Sequence, residues 1–294
     1  MKIGIFGMGA VGCSIYEELQ EYKELYILVD EERLEKYKKG FIINDVLYHP
    51  NLKTNIIVDL LILCVKNYQL KVALADMQRF VDDKTVILPL LNGITAHDEI
   101  ASYYPNNNVL YGVINVEANK IGNKVVKGRI INLQFGEKNN LIVKDYLLQI
   151  DQIFSKYNLK HHIYENMIKR VWLKWMLNMG INQVSAAGNL TYRQMRHPLI
   201  FELLCTIFKE VYEVSKAYDI GLSESDLEET ISRCQKFDSD RVTSLTIDFN
   251  NGHENELDSF SKTLIELAER KNIATPVNKA LYCLLKGKFE TTNK

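Results

Sequence analysis

The rhythm of apolar and polar positions changes once along this chain, near residue 164. Before that point, short apolar runs alternate with stretches of helical spacing. Residues 2–7 and 25–29 are two such runs, and 10–22 between them carries a helical pattern. Residues 59–65 (DLLILCV) and 85–90 (TVILPL) are apolar without alternation, as expected of central parallel strands covered on both faces. A helical pattern over 69–80 separates them. This alternation predicts a doubly wound sheet. From 108 to 137 the strands are punctuated by Gly122-Asn123 and Gly128, which predicts hairpins at the far edge of that sheet. After Tyr164 the strand pattern stops. Residues 165–187, 199–218, 223–236 and 256–271 repeat apolar positions every three or four residues and read as helices. The prediction is an α/β chain with a Rossmann domain over 1–164 and an all-helical domain over 165–294, packed tightly with a cleft between. A length of 294 residues suits two domains of about 100–200 each.

Composition narrows the partners. Lys+Arg number 36 and Asp+Glu 37, so the net charge of -1 offers nothing to hold nucleic acid or an anionic membrane. A small anionic ligand needs only a few local lysines and stays open. No apolar run approaches the roughly 18–20 residues that span a bilayer. The N-terminus has a glycine-rich turn in place of a signal-peptide apolar region. Five scattered cysteines without a CxxC pair read as reduced core thiols, which predicts a cytoplasmic protein. The histidines show no ligand spacing, so no metal is expected.

The first motif with chemistry is Gly7-Met8-Gly9-Ala10-Val11-Gly12, directly after a strand and opening a helix. In such a GxGxxG the first glycine makes the tight turn and the second lets a pyrophosphate approach the backbone. The third packs helix on strand, and the helix N-terminus supplies N–H donors. The alternative is a purely structural turn. Asp30 ends the second strand 18 residues beyond Gly12, where a carboxylate accepts hydrogen bonds from the ribose of NAD and repels the 2′-phosphate of NADP. It can equally cap the following helix. Arg33 alone among its neighbours could meet a phosphate, and Glu31 and Glu32 oppose it, so NAD is expected over NADP.

The second motif lies within 171–182 (VWLKWMLNMGIN), where Lys174, Asn178 and Asn182 recur at i, i+4 and i+8 and share one helix face. Their surroundings are apolar. A lysine there costs several kcal/mol unless it is paired or its pKa falls. The stripe is therefore either a polar contact between helices or a site. A lysine of lowered pKa suits general acid catalysis at a carbonyl oxygen, with two amides to hold substrate oxygens.

Taken in order, these motifs resemble the ketopantoate reductases (2-dehydropantoate 2-reductases). The resemblance spans nearly the whole chain. It rests on GxGAVG at the start, Val65-Lys66-Asn67-Tyr68-Gln69, Asn92-Gly93 and KxxxNxxxN over 174–182, then Thr243-Ser244, Glu256-Leu257-Asp258 and Thr275-Pro276-Val277-Asn278. It implies Lys174 as general acid with Glu256 polarising it, and Asn92, Asn178, Asn182 and Ser244 on the substrate. Gly7 to Gly12, Asp30, Lys66 and Asn92 would hold the cofactor. It also implies a homodimer. Each residue has an ordinary alternative: Lys66 a solvated strand end, Asn92-Gly93 a turn, Ser244 a cap, Glu256 a first-turn carboxylate.

The chain also departs from the family pattern. Asp30 stands where a basic residue is common, and Leu91 where a glutamine usually precedes Asn-Gly. Gln183-Val184-Ser185-Ala186 replaces the usual Asn-Pro-Leu-Thr, Tyr192 stands where an asparagine or glycine is common, and Lys262 replaces a helix glycine. If even one or two of Trp172, Trp175, Met176 and Met179 line the pocket, it is more apolar than ketopantoate needs, and the differences themselves resemble the NAD-dependent D-2-hydroxyacid dehydrogenases of the D-mandelate type. These act on branched or aromatic 2-oxo acids without a C4 hydroxyl. The rivals are an NADPH-dependent ketopantoate reductase of pantothenate synthesis, a β-hydroxyacid dehydrogenase, and a dinucleotide sensor without catalysis.

Overall fold

The computed structural model describes residues 1–292, without the side chains of 129–131. It divides into two compact units, 1–91 with 95–170, and 92–94 with 171–294.

In chain order the first unit contains β1 (Ile3–Phe6), α1 (Ala10–Leu19), β2 (Leu25–Leu28), α2 (Glu31–Tyr37), β3 (Phe41–Ile43), β4 (Val46–Tyr48), β5 (Leu52–Lys53) and β6 (Leu60–Leu63). There follow α3 (Leu70–Met77), β7 (Val86–Pro89), α4 (Ala96–Tyr103), β8 (Tyr111–Ile121), β9 (Lys124–Gly136), α5 (Asp145–Lys156) and β10 (His161–His162). A parallel sheet runs β5-β2-β1-β6-β7, with Ile3 opposite both Leu25 and Leu60. Every residue of β1, β2, β6 and β7 is buried. Alternate side chains serve two cores. Ile5, Ile27 and Ile62 pack with α1 and α5 through Ile15, Ile150 and Phe154, while Phe6, Leu28 and Leu63 pack with α3 and α4 through Leu74, Met77 and Ile100. Burial on both faces is why these strands carry no polar alternation. This is the expected doubly wound architecture.

One expectation is corrected. The β8–β9 hairpin does not extend the parallel sheet. It belongs to a second sheet ordered β10-β9-β3-β4, with β8 on the other edge of β9. An isolated Ile87–Val109 bridge joins its approach to β7. The cause is a hairpin that the sequence reading did not place. Asn44 and Asp45 both take left-handed φ values of 46° and 66°, turning β3 back into β4, and β3 then pairs with β9. Val125, Leu133 and Phe135 face the core shared with α1. The sequence reading also left α5 unassigned, although Leu147, Ile150 and Phe154 follow helical spacing.

The second unit is helical, as expected. It takes most of α6 (Met167–Gly188), then α7 (Pro198–Ala217), α8 (Glu224–Gln235), α9 (Ser244–Asn250), α10 (Thr263–Arg270) and α11 (Pro276–Thr292). The helix expected over 256–271 begins instead with a π-turn at Asp258–Lys262, and α9 and α11 were not anticipated. No helix among the described residues is long and apolar enough to cross a membrane.

Three helices are tied by a buried polar network. Glu210 on α7 accepts the amides of Val277 and Asn278 at 2.9 and 3.0 Å, capping α11 behind Pro276. The Asn278 side chain donates to Glu210 at 2.7 Å and accepts from Gln183 on α6 at 2.8 Å. This explains the Thr275-Pro276-Val277-Asn278 motif as a helix start whose orphan amides need a carboxylate.

Candidate active site

In the first unit the glycine-rich turn joins β1 to α1. Gly7 has φ +101°, and a Cβ there would lie 2.8 Å from the Cys64 backbone, so both conformation and space demand glycine. A Cβ on Gly12 would lie 2.0 Å from the Gly7 carbonyl oxygen. Gly9 differs, because a Cβ there would meet only the Cys64 oxygen at 3.8 Å. Packing does not require that glycine, whereas close approach of a ligand does. Gly9 is also the N-cap of α1, with no side-chain cap and no acidic residue in the first turn. The N–H groups opening α1 therefore have neither a capping side chain nor a carboxylate in the first turn, which fits a dinucleotide pyrophosphate. The Met8 side chain belongs to the core, so Met8 can offer a ligand only its backbone.

Asp30 caps α2. Its Oδ1 accepts from the Arg33 amide at 2.6 Å and its Oδ2 pairs with the Arg33 guanidinium at 2.5 Å. The capping alternative is thus present, and with 28% of its side chain exposed the carboxylate keeps room for further donors. Lys66 opens the 3₁₀ turn Asn67–Gln69 after β6, half-buried, its amide 3.4 Å from the Gln69 side-chain oxygen.

In the second unit, Lys174, Asn178 and Asn182 project from one face of α6. Lys174 keeps some exposed surface, yet protein surrounds its ammonium closely. That burial lowers its pKa to about 8, against the opposing pull of Glu256. Glu256 is buried, and its Oε2 accepts from the Asn92 side-chain amide at 3.0 Å. Asn92 follows β7 in sequence, but the tripeptide 92–94 groups with the helical unit. Three separate segments therefore meet: 92–94, α6 and the stretch before α10. Asn182 is buried, and Asn178 is half-buried on the same face.

Ser244 is placed by its neighbours. Thr243, not Ser244, is the N-cap of α9. Its hydroxyl lies 3.0 Å from that of Thr246, which lies 2.7 Å from that of Ser185 on α6. This buried chain of hydroxyls fixes the start of α9 and leaves Ser244 exposed at its first position. The sequence reading noticed Ser185 only as a departure from a family motif. Trp172, Trp175, Met176 and Met179 are buried core residues, and the Trp175 indole donates to the Ser259 carbonyl at 3.3 Å. Leu91 lies in the core against α3 and α4, and Tyr192 packs edge-on against Phe237.

Chemically, the second unit offers a lysine whose pKa burial lowers to about 8, a buried carboxylate held by an amide, and two further amides. Residues 3–140 match the family described as Ketopantoate reductase PanE/ApbA, and 166–289 match Ketopantoate reductase PanE/ApbA C terminal. The chain is 25% identical over 312 residues to the 2-dehydropantoate 2-reductase of Streptococcus pyogenes serotype M6, covering 100% of this chain and 99% of the relative. Among solved structures, a dimeric ketopantoate reductase from Staphylococcus aureus gives a TM-score of 0.87 at 21% identity, over 99% of both chains. D-mandelate dehydrogenase with NADH and anilino(oxo)acetate gives 0.90 at 22%, over 100% of this chain and 99% of that one. With its two halves matched in order and little of it left over, the chain belongs to the ketopantoate reductase family of oxidoreductases.

Proposed function

We propose that this chain reduces a small branched 2-oxo acid with a nicotinamide dinucleotide, Lys174 giving its proton to the keto oxygen. The observation that carries this reading is the Lys174 ammonium, lowered to about 8 by burial, opposite a Glu256 carboxylate held by Asn92. A proton donor poised near the working pH is the most effective general acid. Asn178, Asn182 and Ser244 would hold the substrate's carboxylate and hydroxyl oxygens. The backbone from Gly7 to Gly12, with Asp30, Lys66 and Asn92, would hold the dinucleotide, which when bound supplies the hydride. The 1–164 segment would thus serve the cofactor and 165–294 the substrate.

For the substrate we favour ketopantoate. The expectation of a hydroxyl-free acid leaned on Tyr192, Leu91, Trp172, Trp175, Met176 and Met179; all but Tyr192 are buried, and Tyr192 packs edge-on against Phe237, which weakens that support. Curated relatives named 2-dehydropantoate 2-reductase add weight. A second reading, a D-2-hydroxyacid dehydrogenase of the D-mandelate type using NADH, is favoured by Asp30, whose acidic corner includes Glu31 and Glu32. The dimeric Staphylococcus aureus neighbour supports a homodimer.

The test is kcat/KM for ketopantoate, 2-oxoisovalerate and phenylglyoxylate, each with NADH and NADPH. A preference for ketopantoate of about tenfold or more supports the first reading, since tenfold is about 1.4 kcal/mol of transition-state binding. A preference for the hydroxyl-free acids with NADH returns the second. Dinucleotide binding without turnover of any 2-oxo acid removes the enzymatic proposal and leaves a sensor.

A further inference from the structure

The first unit brings a basic residue to the glycine-rich turn from 112 residues along the chain. Lys120 lies near the end of β8, and its ammonium donates to the Met8 carbonyl, between Gly7 and Gly9. The rings of Phe41 and Tyr37 stand 5.2 and 5.9 Å from its nitrogen. The residue is half-buried, and among the described residues no carboxylate pairs with it.

A lysine on the same hairpin sharpens the point. Lys127 is also largely buried, and there the fold supplies two carboxylates, Glu17 and Glu18, each at 2.5 Å. Lys120 has a carbonyl and two ring faces, which orient an ammonium without neutralising it. Burial and the nearby Lys36 both lower its pKa, as an uncompensated cation requires, with Cys13 opposing. The structure keeps this charge beside the α1 N-terminus, where Gly9 leaves space and no acidic residue stands in the first helical turn.

We propose that Lys120 is a phosphate-binding residue of the dinucleotide site, its ammonium steadied by the Met8 carbonyl and offering its remaining N–H donors to a cofactor phosphate. The inference rests on the reading that this chain binds a nicotinamide dinucleotide. It assigns the β8–β9 hairpin a part in recognition that the βαβ motif alone does not contain.

The experiment is equilibrium titration of NADH and NADPH into the full chain and into Lys120→Gln, Lys120→Met and Lys120→Arg, at low and high salt, with thermal melting run alongside. Gln can keep the hydrogen bond to Met8 but not the charge, and Met serves if Gln does not fold. A charge-assisted contact to phosphate predicts about tenfold or more weaker binding for the uncharged variants, near-normal binding for Arg, and a flatter salt dependence once the charge is gone. Equal losses for both cofactors place Lys120 on the pyrophosphate, and a larger loss for NADPH places it on the 2′-phosphate. Wild-type affinity in Lys120→Gln overturns the proposal. So does weakened binding with an unchanged salt dependence, because Lys120 would then merely prop the turn. A wild-type chain that binds neither dinucleotide would sink the functional reading itself, a distinct result.

Discussion

The two candidate regions are made of different material. At the β1–α1 turn the candidate surface is mostly backbone, and only at Gly9 does the missing side chain leave room for close approach. On α6 the working surface is side chains, and the backbone is already satisfied within a helix of 22 residues. A backbone site is contiguous and is damaged by adding atoms. A side-chain site is gathered from distant segments, and removing or neutralising a group damages it.

The strongest break in this comparison is Lys174→Met. General acid catalysis is worth about 10²–10⁴-fold, so kcat should fall by at least roughly a hundredfold while NADH affinity, read by titration, barely changes. Near-normal kcat in the variant would take Lys174 out of the mechanism. Next come two alanine substitutions three residues apart in sequence, which set packing against access. Gly12→Ala meets the Gly7 carbonyl at 2.0 Å and should lower stability by about 1–3 kcal/mol in denaturant melts. Gly9→Ala should leave stability alone and weaken dinucleotide binding. If both variants melt alike and bind alike, the access argument for Gly9 fails.

Asp30→Ser sharpens the cofactor side, since serine keeps the N-cap and deletes the charge. The kcat/KM ratio of NADH to NADPH should drop by about tenfold, the size of one charge-assisted hydrogen bond. A wild-type preference for NADPH would end that idea before any variant is made. The smallest effect concerns pH. With Lys174 as the proposed acid, reduction would need it protonated, so kcat/KM should decline as pH rises through about 8. Glu256 pulls that pKa upward, so in Glu256→Gln the decline should begin at lower pH. An upward move would mean that Lys174 does not feel this carboxylate.

How much of this could be read beforehand followed the same division. The turn and the α6 stripe each occupy one stretch of sequence, and local periodicity was enough to find Lys174, Asn178 and Asn182. Glu256 and Ser244 carry no local signal that sets them apart from a first-turn carboxylate or a cap. They entered only through the resemblance, and the cap proved to be Thr243. The second sheet was illegible for a related reason. Asn44 bonds to the backbone of Lys127 across 83 residues, and no window of sequence contains both. Lys120 escaped notice in the same way, reading as one more polar residue of an edge strand until β8 set it against Met8. The apolar residues beside Lys174 could not be apportioned at all, since helical spacing cannot tell a pocket wall from a core.

One property of α1 has a thermodynamic side. Gly9 gives this helix no capping side chain, and its first turn carries no acidic residue. Its opening amides are therefore donors without protein acceptors among the described residues. A phosphate settling there would complete the helix as well as occupy a site. Local opening of α1 and ligand release then become linked equilibria, with hydrogen exchange at Ala10, Val11 and Gly12 slowing in proportion to occupancy. The end of this helix would act as its own gauge of saturation, readable without any substrate or turnover.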